Sequence, residues 1–491
     1  MGNTNSASSR SLAVLSALPA PLVDTDDGTT LSIQAALIGR GGRRARVALA
    51  IVALAIIFKL LRLAGRRGLP RAYFALAAET PRVVFRATPA NKALVARCPT
   101  LSASLRLYPL SLERCLTVLH VLVMTARRSY CPPWFLFNGH LQTLALSRAD
   151  EEREPAVAYR RQLLDLPDGG VVSLDWALLE DNSELPIEQA VDASRRTVLV
   201  LPGLTGGSPE FYIRKAVVRL RARGWQCVVM NARGCADTPL RTAHLFSSGY
   251  TADVRFAARY LRTTYAFETF IGLGFSMGAN VLVKFLGEEQ EDSPLDAGMS
   301  VGNPFDLVKC SANFGATLLH RLTYDKVLTR NLQNLFFERS NAHEMFRSMP
   351  GVDIPSVADA KTVREFDDRL TKVAFKYETV DHYYEDASSL RKLERVRMPL
   401  LCLNARDDPI SVHTALPTVE QVEANPNVIL ADDEPITGSP DESDASTASG
   451  SASDKTEVST PPRMWSAQLI TEFADAVWRS RHEGKQQEVG V

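Results

Sequence analysis

The sequence predicts an α/β protein: a mostly parallel central sheet flanked by helices, with a helical cap inserted late in the chain. Three observations carry this. From Thr197 onward, short β-branched runs alternate with stretches of helical spacing. Gly274-Phe275-Ser276-Met277-Gly278 stands directly between an apolar run, Phe270 to Leu273, and a helix-like run, Ala279 to Leu286. Residues 304–396 break the alternation with helical segments alone and read as a cap or lid above the sheet.

Taken in order, residues 1–46 are Ser-, Ala- and Arg-rich with little apolar periodicity and read as a flexible tail. Met1-Gly2-Asn3-Thr4-Asn5-Ser6 fits an N-myristoylation pattern. Val47 to Phe58 is an unbroken apolar run, extended to Leu63 if Lys59 and Arg62 snorkel; residues 47–63 read as a membrane anchor. Arginines flank it on both sides, so charge sets no orientation. From this segment follows an expected single-pass membrane location, in the endoplasmic reticulum or another endomembrane. Residues 64–156 connect it to the domain.

The domain itself is expected over 157–480. Arg160 to Leu166 and Val171 to Trp176 alternate around Pro167-Asp168-Gly169-Gly170, a hairpin signal. Thr197 to Leu201, Gln226 to Met230, Phe270 to Leu273, Ala297 to Val301, Pro399 to Leu403 and Val428 to Leu430 read as strands. Glu210 to Arg223 and Thr251 to Arg262 read as helices, and Trp465, Leu469, Phe473 and Val477 mark a final amphipathic one. Residues 432–462 are so rich in Ser, Asp, Glu, Thr and Pro that they cannot bury enough surface to fold; they read as a disordered insertion, and 481–491 as a tail.

Composition narrows the function. With 45% hydrophobic and 23% charged residues in 491, the chain is an ordinary globular one. Lys+Arg and Asp+Glu both number 56, which removes the basic signature of a nucleic-acid binder. The 7 cysteines form no CxxC or metal spacing, and Cys227 and Cys402 fall in predicted strands as small core residues. No metal or organic cofactor is implied.

The chemistry centres on Ser276. A G-x-S-x-G pentapeptide between strand and helix is a nucleophile elbow, whose tight turn lifts the hydroxyl above the sheet edge. Acyl transfer also needs an oxyanion hole, a base and an acid that orients the base. The amide of Met277 supplies one oxyanion donor, and the loop Pro202 to Gly207 after the Thr197 strand supplies the other, through Leu204 with Thr205 beside it. No GKS/T follows that loop, so it is not a Walker phosphate cradle. The acid follows the nucleophile in chain order: Asp408, at the end of the Leu401 to Asn404 strand, with Asp407 the alternative. The base should follow the last strand, but no histidine lies between His413 and His482. His140, His244, His382, His413 and His482 all stand away from the place the fold demands.

Five stretches in this order together resemble one family: Asn138 to Thr143 (NGHLQT), Pro202 to Gly207 (PGLTGG), Asn231 to Leu240 (NARGCADTPL), Gly274 to Asn280 (GFSMGAN) and Gly302 to Leu307 (GNPFDL). Between about residues 80 and 430 the chain resembles the AB hydrolase 4 family of the alpha/beta-hydrolase superfamily, which includes membrane-tethered lipases and phospholipases and medium-chain fatty acid ethyl ester synthase/esterases. The resemblance implies a single membrane anchor, ester hydrolysis or alcohol acyl transfer on lipid-like substrates, Ser276 as nucleophile and Asp408 as acid. It also implies a Gly-Gly-His motif after the last strand. Here Asn427 to Ala431 reaches that point and runs on into Asp432-Asp433-Glu434. Two readings follow: a membrane-anchored serine esterase or lipase whose histidine segment is missing from this sequence, or a pseudo-hydrolase that binds lipid or acts as a tethered scaffold.

Overall fold

The computed structural model describes residues 82–105, 156–178, 185–433 and 465–489. The N-myristoylation motif, the tail, the 47–63 segment, the NGHLQT motif with His140, and most of the acidic low-complexity tract lie outside the described residues.

Nine strands form one sheet: β1 (Arg82–Phe85), β2 (Arg160–Asp165), β3 (Val171–Ala177), β4 (Thr197–Leu201), β5 (Gln226–Asn231), β6 (Phe270–Phe275), β7 (Ala297–Val301), β8 (Leu400–Ala405) and β9 (Val428–Asp433). Their spatial order is β1-β9-β8-β7-β6-β4-β5-β3-β2. From β5 across to β9 all neighbours are parallel, and the strands outside that block pair antiparallel. The central strands are buried along their whole length because both faces are covered, which is why they read as continuous apolar runs. One face packs Trp176, Phe270 and Phe285; the other packs Trp225, Ile213 and Phe473.

Helices α1 (Pro89–Arg97), α2 (Phe211–Arg221), α3 (Ala252–Tyr265) and α4 (Met277–Glu289) flank the sheet. Between β7 and β8 the chain leaves the sheet for a set of short helices that includes α5 (Leu307–Ala316), α6 (Lys326–Asn334) and α7 (Val380–Ala387). Three segments there widen into π-helical turns: Arg321–Asp325, Leu335–Arg339 and Asp367–Thr371. This cap has its own apolar core, in which the ring of Phe336 lies 5.5 Å from Phe346 and 6.2 Å from Phe366. The final helix α8 (Trp465–Val489) buries Leu469, Phe473 and Val477 against the sheet, and Glu472 accepts the Thr100 amide at 2.8 Å.

Three expectations need correction. The sheet does not begin at Arg160: β1 lies within the stretch taken as a connector and pairs with β9. Nor does the last strand end at Leu430. It continues through Asp433, because the buried Asp432 carboxylate takes a two-pronged bond from Arg82 on β1, at 2.9 and 2.6 Å. The acidic tract therefore gives its first two residues to the sheet. Third, no helix among the described residues is long and apolar enough to cross a membrane. This overturns the single-pass membrane location and the transmembrane-helix reading expected above. The uncharged run at Val47 to Phe58 is itself shorter than the roughly 20 residues a span needs.

Candidate active site

β6 and α4 meet at Ser276, whose φ of 51° and ψ of −117° lie in a region that costs a non-glycine residue roughly 1–3 kcal/mol. The surroundings hold it there. Its amide donates to Val301 O on β7 at 2.8 Å, and its carbonyl accepts from Asn280 N at 3.1 Å. The flanking glycines are required by close approach. A Cβ on Gly274 would stand 2.4 Å from Gly278 O, and one on Gly278 would stand 2.3 Å from Leu201 O. Both obstacles are backbone, so neither can move cheaply.

The loop after β4 lies against this elbow. A Cβ on Gly203 would fall 3.4 Å from the Ser276 Cβ. Thr205 takes a φ of 58°, and the Gly206 amide donates to Gly203 O at 3.0 Å, closing a tight turn that presents Leu204. Tyr212 fastens the loop: its hydroxyl accepts the Gly203 amide at 3.0 Å, and its ring packs 5.1 Å from Phe275. Burial pushes the pKa of this phenol up, so it stays protonated. Sequence reasoning missed Tyr212; its role depends on a contact between α2 and the elbow that no local motif announces.

Asp408 follows β8. Its Oδ1 accepts the amides of Ile410 at 2.7 Å and Ser411 at 3.1 Å. Desolvation nevertheless raises its pKa, outweighing the lowering effect of those two amides. Ser411 ties the loop to the end of β7 by donating to Gly302 O at 2.7 Å.

These pieces border one cavity of about 530 Å³: Ser276, Met277, Leu204 and Asp408 all line it, whereas Asp407 does not. Much of the remaining wall comes from the cap and is mainly apolar, including Phe314, Leu332, Phe336, Phe366 and Leu370. Two further carboxyl residues, Glu210 and Asp367, interrupt the apolar lining. Asp367 lines the cavity and accepts hydrogen bonds from Thr371 Oγ1 at 2.6 Å and Tyr384 OH at 2.8 Å. Burial pushes its pKa up to about 6 against those two bonds.

No described histidine lines the cavity. His244 stands 3.9 Å from Asp168 and packs on Tyr250 and Phe375. His382 sits on α7 beside Tyr377, His413 is exposed, and His482 packs on Trp478 of α8 and pairs with Glu268. His120 and His140 lie outside the described residues. The chain returns to the cavity at the start of α8, where Ser466 lines it. Among the described residues no group of three His, Cys, Asp or Glu could hold a metal ion.

Comparison with known proteins places this geometry. The pattern of the alpha/beta hydrolase fold matches residues 196–433. Human phospholipase ABHD3 is 37% identical over 304 residues, covering 62% of this chain and 71% of its own. The chain belongs to the alpha/beta hydrolase family. Monoacylglycerol lipase of Saccharomyces cerevisiae is 30% identical over 325 residues, covering 60% of this chain and 72% of its own. Embryogenesis-associated protein EMB8 of Picea glauca is 37% identical over 302 residues, and there the match spans only 64% of the relative's length. The names of these relatives are those of a phospholipase and a monoacylglycerol lipase.

Proposed function

We propose that this protein cleaves carboxylic esters of acyl lipids through an acyl-Ser276 intermediate. One observation carries the reading: Ser276, Leu204, Met277 and Asp408 border the same cavity, whose remaining walls are mostly apolar. Ser276 Oγ attacks the ester carbonyl, and the oxygen that becomes negative is received by the amides of Leu204 and Met277. Met277 opens α4, so its N–H has no partner within the helix. Collapse of the adduct breaks the bond to the alcohol, which leaves with a proton. Water, or a second alcohol, then attacks the acyl-serine and restores the hydroxyl. Asp408 is the residue that would orient a base, and the base itself belongs to groups outside the described residues or to solvent. The apolar walls match an acyl chain, which favours glycerolipid or short- to medium-chain esters.

The test is covalent labelling with a fluorophosphonate probe, together with p-nitrophenyl ester turnover, for the wild type and Ser276→Ala. Labelling and turnover should both vanish in the variant. Equal signals from the two proteins would overturn the enzyme reading.

The absence of a described histidine on the cavity favours a second reading, an ester-binding protein with impaired catalysis. A protein of that kind would bind a medium-chain ester at equilibrium yet turn it over no faster than Ser276→Ala.

A further inference from the structure

Cap residues 307–337 differ from the rest of the surface. Large apolar side chains stand in water within a short stretch: Leu318 is 71% exposed, Leu319 51%, Leu322 59% and Val327 50%. Single exposed apolar residues are ordinary, whereas a contiguous group marks a contact surface. Arg321, Lys326 and Arg330 are interleaved with them, all exposed and without an ion pair among the described residues. The one acid in 307–337 is Asp325, which is buried and accepts the Val363 amide at 2.8 Å. The exposed charges of the stretch are therefore all positive, on a chain whose formal net charge is zero.

The stretch is also continuous with the cavity. Phe314 on α5 and Leu328 and Leu332 on α6 line it, and the exposed leucines lie between those two helices in the chain. A surface that holds residues 318–327 is thereby held at the cavity wall. Leucines set among a lysine and arginines, with the one nearby acid of the stretch buried, suit one kind of partner. The leucines enter the boundary between headgroups and acyl chains, while the cations meet anionic headgroups.

We propose that the 318–327 face of the cap docks peripherally on an anionic phospholipid surface, bringing the cavity to its ester substrates. This rests on the ester-binding reading of the cavity only for its purpose; the contact itself is independent of catalysis.

The experiment is co-sedimentation of the full chain with vesicles of phosphatidylcholine, with and without phosphatidylserine, read separately from fluorophosphonate labelling. The wild type should partition onto the serine-containing vesicles and be released as salt is raised toward about 0.5 M. Leu318→Ser with Leu322→Ser should weaken partitioning by about tenfold, as should Arg321→Glu with Lys326→Glu. Labelling at Ser276 and the melting temperature should stay unchanged, because none of these four residues borders the cavity or the core. Wild-type binding equal on neutral and anionic vesicles, no binding at all, or undiminished binding by both double variants would each overturn the docking proposal. Loss of labelling in the wild type would instead count against the hydrolase reading.

Discussion

The floor and the roof of the cavity are built on opposite plans. The floor is the C-terminal edge of parallel strands β4, β6, β7 and β8. It is regular and tightly held: two glycines with no room for a methyl, a strained serine tied to β7, and a phenol holding the neighbouring loop. The roof is a run of short helices with three π-helical turns, a buried carboxyl and leucines left in water. π turns inside helices are uncommon and gather at functional sites. The contrast teaches that this chain spends its rigidity on the atoms that react and leaves the recognition of the remainder to a separately cored, less regular layer. On the proposed reading, placing a nucleophile and activating it are separable: the floor positions Ser276 without a described histidine.

The hardest way to break the floor is Gly278→Ala. The added carbon would stand 2.3 Å from Leu201 O, so β4 and α4 must part. We expect destabilisation above about 4 kcal/mol, seen as a lost or greatly lowered thermal transition, with no fluorophosphonate labelling. A variant that melts and labels like the wild type would show that the elbow is not closed as described.

The roof should answer to pH instead. Asp367 has its pKa raised from 3.8 in the unfolded chain to about 6 in the folded one. The folded state thus keeps a proton that the unfolded chain releases. Its contribution is fully present below pH 3.8 and is lost as pH rises through about 6. Asp367→Asn should remove that slope, leaving the variant more stable than the wild type at pH 7 by on the order of 2 kcal/mol. Urea unfolding at pH 4 and pH 7 measures this, and parallel pH profiles for the two proteins would refute it.

The smallest effect concerns the base, which no described histidine supplies at the cavity. Added imidazole can enter a cavity of about 530 Å³ beside Ser276. It should raise p-nitrophenyl ester turnover by roughly tenfold over the imidazole background measured with Ser276→Ala, and less in Asp408→Asn. No rise in the wild type would mean that the chain already supplies a base from outside the described residues.

Much of the floor was legible in sequence because its rules are local. β-branched runs such as Thr197 to Leu201 and the strand–GFSMG–helix junction announce themselves within a few residues. β1 was not legible: four residues, Arg-Val-Val-Phe, carry too little pattern, and their partner lies 350 positions away, as Arg82 and Asp432 do. The same ion pair explains why Asp432 looked like the start of a polar tract; its charge is neutralised by a distant arginine rather than by water. In the roof, a π turn of five residues has no periodicity that separates it from an ordinary helix, and Asp367 reads as one more charged residue until Thr371 and Tyr384 are seen to close over it.

The arginine clamp on Asp432 also bears on how this chain can be rebuilt. It pins the polypeptide one residue from the end of β9, and the Glu472 bond to Thr100 pins it again soon after α8 begins. Whatever joins two such moorings is replaceable, since doubling the length of a connecting loop costs only about 0.6 kcal/mol. The interval after Asp433 is therefore a cassette: a segment carrying Gly-Gly-His could be spliced between the two anchors without asking the sheet to fold again.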